Sequence, residues 1–234
     1  MPLYPGPDQA SAWWTFQGLD GTGLLLAEQG RKGLHLTPRG LAAPNYGLGT
    51  NGKTGKWTLD GATDYADMDA ATAARWYTVA PTTEVTVGIV ARFAAPAAND
   101  VIFSCLNAGP TRGLVVKLSA AERVQVAGYD AAGAVTSATM TADNALTGRT
   151  RCIIMCLRPA TGLALAYVDA APVACTFAGG AGPIAYDAAV MPAVGSVPGG
   201  GNYHDGDLFG LFVWPRILLA DEVGNWTADW RGRT

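Results

Sequence analysis

The sequence predicts an all-β protein: a two-sheet antiparallel β-sandwich of jelly-roll type with one or two short helical turns. Three observations carry this. Apolar stretches are short and mostly bounded by Gly, Pro or Asx. Several of them alternate with period two or are rich in β-branched residues. Helical signal is scarce, while 30 Gly and 14 Pro in 234 residues supply many turns. Apolar residues make up 49% and charged residues 15%, which fills a sizeable core and argues against disorder. No linker, composition shift or internal repeat divides the chain, so residues 1–234 are expected to form one domain.

In order along the chain, strands are expected near Ala12–Phe16, Trp57–Leu59, Glu84–Phe93, Asp100–Leu106, Gly113–Leu118 and Arg123–Tyr129. Further strands are expected near Arg151–Leu157, Leu163–Val168, Ala189–Val194 and Asp207–Trp214. The stretch YDAAGAV (129–135) reads as a hairpin turn, and RPATG (158–162) as a bend set by Pro159 and Gly162. YADMDAATAARWY (65–77) holds two helical turns, with Asp67 or Asp69 as N-cap. LLADEVGNW (218–226) holds one turn, which Gly224 is expected to break. In Asp207–Trp214, strict alternation would put Leu208, Gly210, Phe212 and Trp214 on one face and Phe209, Leu211 and Val213 on the other. Both faces are apolar. The opposite sheet would cover one, and a loop or a neighbouring molecule the other.

GLGTNGKT (47–54) matches the phosphate-loop pattern G-x-x-x-x-G-K-[ST] at every position. That pattern binds phosphate only between a buried strand and a helix N-terminus. Here TPRGLAAPNY precedes it and GKWTLDG follows it. The context supplies neither element, and the motif reads as a Gly-rich surface loop.

The net charge of −3 gives no electrostatic footprint for nucleic acid or an anionic membrane, and no run approaches the ~20 apolar residues of a membrane span. The start, MPLYPGPDQASAWW, has no basic segment and no apolar core of a secretory signal. Manufacture in a cytoplasm without a signal peptide is the expectation. Cys105, Cys152, Cys156 and Cys175 form no C-x-x-C pair, and His35 and His204 are the only imidazoles, so zinc is not expected. Cys152 and Cys156 would lie about 13 Å apart on one strand, too far for a disulfide. Buried free thiols are expected.

Five stretches, in order, resemble the laminin-G-like branch of the concanavalin A-like lectin and glucanase jelly rolls. They are WWTFQGLDGTG (13–23), WTLDGATDYADM (57–68), EVTVGIVARF with VIFSC (84–105), RCIIMCLRPATGLALAYVDAAPV (151–173) and PGGGNYHDGDLFGLFVWPRILLADEV (198–223). The departures are Ala170, where a Gly is usual after Y-V-D, and Gly210 and Phe212, where an acidic residue and an Arg are usual. Glycanases of the fold that this resemblance implies carry E-x-D-x-E on one strand, with carboxylates about 5–5.5 Å apart. Glu28, Glu84, Glu122 and Glu222 have no carboxylate two residues away, so the chain is expected to be no enzyme.

The resemblance implies an interaction module. With no leader on an extracellular-type fold, the first reading is a bacteriophage virion component: a head-decoration or tail-associated protein at the virion surface, homo-oligomeric and bound to other subunits. The alternative is a lectin-like carbohydrate-binding module using exposed loop aromatics, which would meet host-surface glycan. Binding residues on either reading are Trp76, Tyr77, Tyr203 and His204. No cofactor is expected. Some relatives bind Ca²⁺, for which Asp205 and Asp207 are the candidates; Asp60, Asp64, Asp67 and Asp69 read first as turn and cap residues. Trp13 and Trp14 are adjacent, so one should enter the core and the other meet a second surface.

Overall fold

The computed structural model describes residues 9–15, 33–40, 46–48, 55–94, 100–107, 111–119, 121–141, 146–180 and 182–233. In chain order the strands begin with β1 (Ala12–Thr15), β2 (Thr37–Arg39), β3 (Tyr46–Leu48), β4 (Gly55–Asp60) and β5 (Tyr65–Asp67). After helix α1 (Ala70–Val79) come β6 (Val85–Phe93), β7 (Asp100–Ser104), β8 (Gly113–Leu118), β9 (Val124–Tyr129) and β10 (Val135–Met140). Then follow β11 (Thr150–Arg158), β12 (Leu163–Val168), β13 (Ala171–Val173), β14 (Cys175–Gly179), β15 (Ala193–Val194), β16 (Asp205–Trp214) and helix α2 (Ala220–Arg233). They form the expected sandwich. Sheet one runs β13-β12-β11-β6-β16-β4-β3, and sheet two runs β14-β10-β9-β8-β7-β15-β5-β2. Among the described residues, every pairing of these strands is antiparallel. β6 lines one edge of β16, so β4 (on 205–208) and β1 (on 210–213) sit end to end along the other.

The main core lies between the sheets. Its largest members include Trp14, Trp57, Phe93 and Phe103, all fully buried. A second core lies on the outer face of sheet one, where α2 packs across it. β6 and β11 alternate between the two: Ile153, Met155 and Leu157 point to the first, and Cys152, Ile154 and Cys156 to the second. Strands buried on both faces lose the polar half of their alternation, which is why IIMC and VTVGIV read as continuous apolar runs.

Strand β16 corrects the expected face assignment. A β-bulge shifts its register against β6 between Leu208 and Gly210. One extra residue reverses the alternation beyond it. Leu208, Leu211 and Val213 therefore face the inter-sheet core, and Phe209, Phe212 and Trp214 face α2. Both faces are covered, as expected, but the outer cover is the chain's own helix. Phe212 meets Trp226 and Trp230 edge-on at 5.2 and 5.3 Å and stacks on Trp214 at 5.8 Å. This explains two departures from the family pattern. An Arg at 212 would be buried under two indoles. A Cβ at position 210 would stand 2.6 Å from the Phe212 ring, so Gly210 leaves room for it.

Helix α2 is also longer than expected. It runs 14 residues, straight through Gly224. The buried positions Val223, Trp226, Thr227 and Trp230 follow helical spacing and make one apolar face. A Cβ at Gly224 would meet nothing within 4 Å, so the glycine costs propensity alone. At the helix start, Glu222 accepts from the Leu219 N–H at 2.9 Å and is clamped by both terminal nitrogens of Arg216. Helix α1 begins at Ala70, after the second of the two expected caps, because Tyr65–Asp67 pairs as β5. Asp69 caps it, accepting from Thr72 N–H at 2.7 Å. The short strands β2, β3, β5, β13 and the Thr-rich β10 carry too few apolar residues to show a period.

β3 and β4 bear on the phosphate-loop motif. They pair with each other, Leu48 opposite Gly55, so the motif starts on one strand of an antiparallel pair and another strand follows it. Its residues 49–54 lie outside the described residues, as do Glu28 and the Trp13 side chain. Cys105, Cys152 and Cys156 are buried free thiols, and Cys175 is a half-buried one. Among the described residues, no helix is long and apolar enough to cross a membrane.

Two outcomes are expected from this packing. Phe212→Ala should cost roughly 3–5 kcal/mol in chemical denaturation, as aromatic truncations in cores do. Gly224→Ala should raise stability by about 0.5–1 kcal/mol; a loss would place that residue in a packed contact instead.

Candidate functional site

Helix α2 covers only part of the outer face of sheet one. Beyond it, three neighbouring strands turn polar side chains outward: Lys56 and Thr58 from β4, Asp205 and Asp207 from β16, and Arg92 from β6. With Gly148 at the rim they line an open cleft of about 410 Å³. Strand pleating produces this row, because alternate residues share a face and the inward partners Trp57, Leu59, Leu208 and Phe93 belong to the core. Gly206 sits between the two aspartates with φ +142, and a Cβ there would lie 2.3 Å from the Arg92 carbonyl oxygen. The glycine of D-G-D is thus required where β16 closes on β6.

Asp207 is the centre of the cleft. It is only 6% exposed. Its Oδ1 accepts from Lys56 Nζ at 2.9 Å and from Thr58 Oγ1 at 2.6 Å. Its Oδ2 lies 3.8 Å from a guanidinium nitrogen of Arg92, which is about half exposed and donates through Nε to the Gly148 carbonyl. A buried carboxylate needs such partners to stay charged. The result is a cleft that presents cations, a carboxylate and a hydroxyl side by side.

The expected binding residues are not brought together. Trp76 is fully buried, packed against Phe103 at 5.5 Å and Trp14 at 6.5 Å. His204 is also fully buried, its Nδ1 2.8 Å from Asp100 Oδ1 and its ring edge-on to Phe93. Neither offers a surface to a ligand, which corrects the expectation for both: each is an aromatic ring used for packing. Tyr77 is half-buried and donates to the Val190 carbonyl at 2.8 Å. Tyr203 is half-buried beside Tyr65, ring centres 6.0 Å apart. Lys56, Thr58 and Arg92 were missed. A polar residue at every second position of an otherwise apolar strand was the available signal.

Asp207 is already held by Lys56, and among the described residues no group of three His, Cys, Asp or Glu could hold a metal. Asp60 closes the D-G-A-T-D turn, accepting from the Ala62, Thr63 and Asp64 N–H groups at 2.8–3.0 Å. Desolvation raises its pKa, but those bonds together outweigh it and bring the carboxyl down to about 2. Asp67 pairs with Arg39, and Asp69 caps α1.

The described glutamates are likewise engaged. Glu84 pairs with Arg158, Glu122 caps the Leu146 and Thr147 N–H groups, and Glu222 pairs with Arg216. The Arg216 hydrogen bonds hold the Glu222 carboxyl below its ordinary value.

Neither a family model nor a curated protein matches the sequence. Solved structures match the fold. The botulinum neurotoxin serotype G binding domain aligns with TM-score 0.65 at 12% identity, over 94% of this chain and 51% of that one. The serotype D ligand-binding domain, in complex with N-acetylneuraminic acid, aligns with TM-score 0.62 at 8% identity over 95% and 51%. Trypanosoma rangeli sialidase, in complex with a difluoro-KDN, aligns with TM-score 0.57 at 12% identity over 94% and 32%. The chain spans about half the length of the toxin domains and about a third of the sialidase. These likenesses show a shared β-sandwich fold and lend no support to a virion component.

One pH effect follows from the anchor of α2. The folded Glu222 carboxyl titrates below its ordinary value of 4.5. Its stabilisation is therefore fully present above pH 4.5 and is lost as pH falls through the lower folded value. Tryptophan fluorescence during denaturant unfolding should show stability falling below pH 4.5, and falling less steeply in Glu222→Gln. Equal slopes in the two proteins would assign the acid sensitivity elsewhere.

Proposed function

We propose that the protein is a non-catalytic carbohydrate-binding module that takes a saccharide in the cleft of Lys56, Thr58, Arg92, Asp205 and Asp207. The observation that carries this is the Asp207 carboxylate, buried yet open to the cleft, with two cations and a hydroxyl around it. Sugar hydroxyls both donate and accept, and a rigid set of alternating acceptors and donors suits them. The strands that hold the set, β6, β16 and β4, are interior strands of sheet one, so the geometry is pre-organised and little ordering entropy is spent on binding.

The neighbouring structures support the class of ligand. A toxin binding domain and a sialidase of this sandwich type were both solved with sialic-acid-type sugars, and in both the sandwich is only part of a longer chain. The non-catalytic reading is supported by the carboxylates themselves, since the described glutamates are spent on ion pairs and caps. The reading as a subunit of an assembly loses its argued support, because α2 of the same chain covers the outer face of β16.

A glycan array followed by calorimetry on the hits tests the proposal. Arg92→Ala should weaken binding about tenfold or more, the worth of one charged hydrogen bond, without changing the near-ultraviolet spectrum. Arg92 is half exposed, so the fold should tolerate the change. No array hit for the wild type, or equal affinity in Arg92→Ala, would overturn the assignment.

A further inference from the structure

Glu122 does not line the cleft. It stands in the turn between β8 and β9, on sheet two. There its N–H donates to the Ser119 carbonyl at 2.9 Å, and the Ser119 N–H donates to the Arg123 carbonyl at 3.1 Å. Its φ is +53, in the left-handed region, which glycine adopts freely and a glutamate does not. A glutamate at so strained a position implies work for its carboxylate. That carboxylate reaches the segment leading into β11. One oxygen accepts from the Leu146 N–H and, at 3.1 Å, from the Thr147 N–H, and the other accepts from the Thr147 hydroxyl. Hydrogen bonds to a charged acceptor are roughly twice as strong as neutral ones, so they fix this segment firmly.

The same segment holds Arg92. Thr147 bridges to Phe93, and the Gly148 N–H donates to the Phe93 carbonyl at 2.8 Å. The Gly148 carbonyl, at the rim of the cleft, then accepts from Arg92 Nε at 3.3 Å. On its other side Arg92 lies 3.8 Å from Asp207, close enough for attraction but too far for a hydrogen bond. The Gly148 carbonyl therefore sets the direction of the guanidinium. A Cβ at Gly148 would meet nothing within 4 Å, so this carbonyl is placed by its chain neighbours and not by packing of its own. We propose that Glu122 is the positioning residue for Arg92: through Leu146, Thr147 and Gly148, sheet two holds the guanidinium at the cleft of sheet one. A long side chain loses rotamer freedom when a ligand fixes it. One already fixed is spared that loss, which is worth about two- to tenfold in affinity.

The use of Arg92 in binding rests on the proposed function, but the coupling is measured without a ligand. The Arg92 Nε–Hε resonance, identified by its loss in Arg92→Ala, reports the bond to Gly148 in the ligand-free chain. In Glu122→Gln it should move toward that of a free arginine side chain and exchange with water severalfold faster. The Arg158 Nε–Hε, which donates to Glu84 at 2.7 Å at the far end of β11, should not move, which separates local release from general loosening. If Glu122→Gln fails to fold, Thr147→Val removes only the hydroxyl bond of an exposed residue and should give a smaller shift in the same direction. On the glycan array, Glu122→Gln should weaken the glycans that Arg92→Ala weakens, by about two- to tenfold. The double variant should bind them no more weakly than Arg92→Ala alone. An unmoved Arg92 resonance, or losses that add in the double variant, would overturn the coupling. A moved resonance with an array blank for the wild type keeps the coupling and removes the proposed function. Array binding that Arg92→Ala weakens, with an unmoved resonance in Glu122→Gln, keeps the function and removes the coupling.

Discussion

The packing of α2 onto β16 governs much of the rest of the molecule. Phe212, Trp214, Trp226 and Trp230 form one ring cluster with centroid separations of 5.2–6.4 Å. Each such ring pair adds about 0.5–1.5 kcal/mol beyond the area it buries, so burial itself is the larger contribution. The cluster has demands of its own. Gly88 and Gly210 lie under the rings, where a Cβ would come within 3.0 Å of Trp214 or 2.6 Å of Phe212. The bulge at Leu208–Gly210 aims Phe212 and Trp214 at the helix. Two glycines, one irregularity and four aromatics are therefore parts of a single device.

That device divides the outer face of sheet one. Under α2 the face, built from β6, β11 and β16, is apolar; beyond it, on β4, β6 and β16, it is polar and open. The ion pairs at the two ends differ accordingly. Glu222 and Arg216 fix the helix start, where a broken pair would loosen the second core. Asp207, Lys56 and Arg92 line the open cleft. In that second group Asp207 is buried while Lys56 and Arg92 are partly exposed, so it borders the fold on one side and solvent on the other. The difference lies in coverage, not in residue type.

Glycoside hydrolysis needs two carboxylates facing one another across a sugar, at least one of them free to exchange a proton. Here Glu84, Glu122 and Glu222 each hold an arginine or a helix or turn N–H. The open face instead carries Asp205 and Asp207, of which Asp207 is paired with Lys56 and faces Arg92.

Several features were legible in the residues alone. Short apolar runs between turn residues indicated the sandwich, because a pleated strand shows its faces directly in the chain. Asp60, Asp69 and Asp130 act where turn and cap chemistry places them, since those bonds span only a few residues. The D-G-D of 205–207 was visible, but its reason was not: Gly206 answers to a carbonyl more than a hundred residues away. The face assignment of β16 failed for a similar cause, since a bulge is set by the partner strand and leaves no local spelling. Helix α2 was cut short at Gly224 because propensity is local, whereas the burial of Trp226 and Trp230 that overrides it comes from the outer face of sheet one. Trp76 and His204 looked like loop aromatics; only packing put them inside. Local chemistry determined the strands, turns and caps, and tertiary contact alone decided which faces are covered, because burial is a property of what lies across the fold.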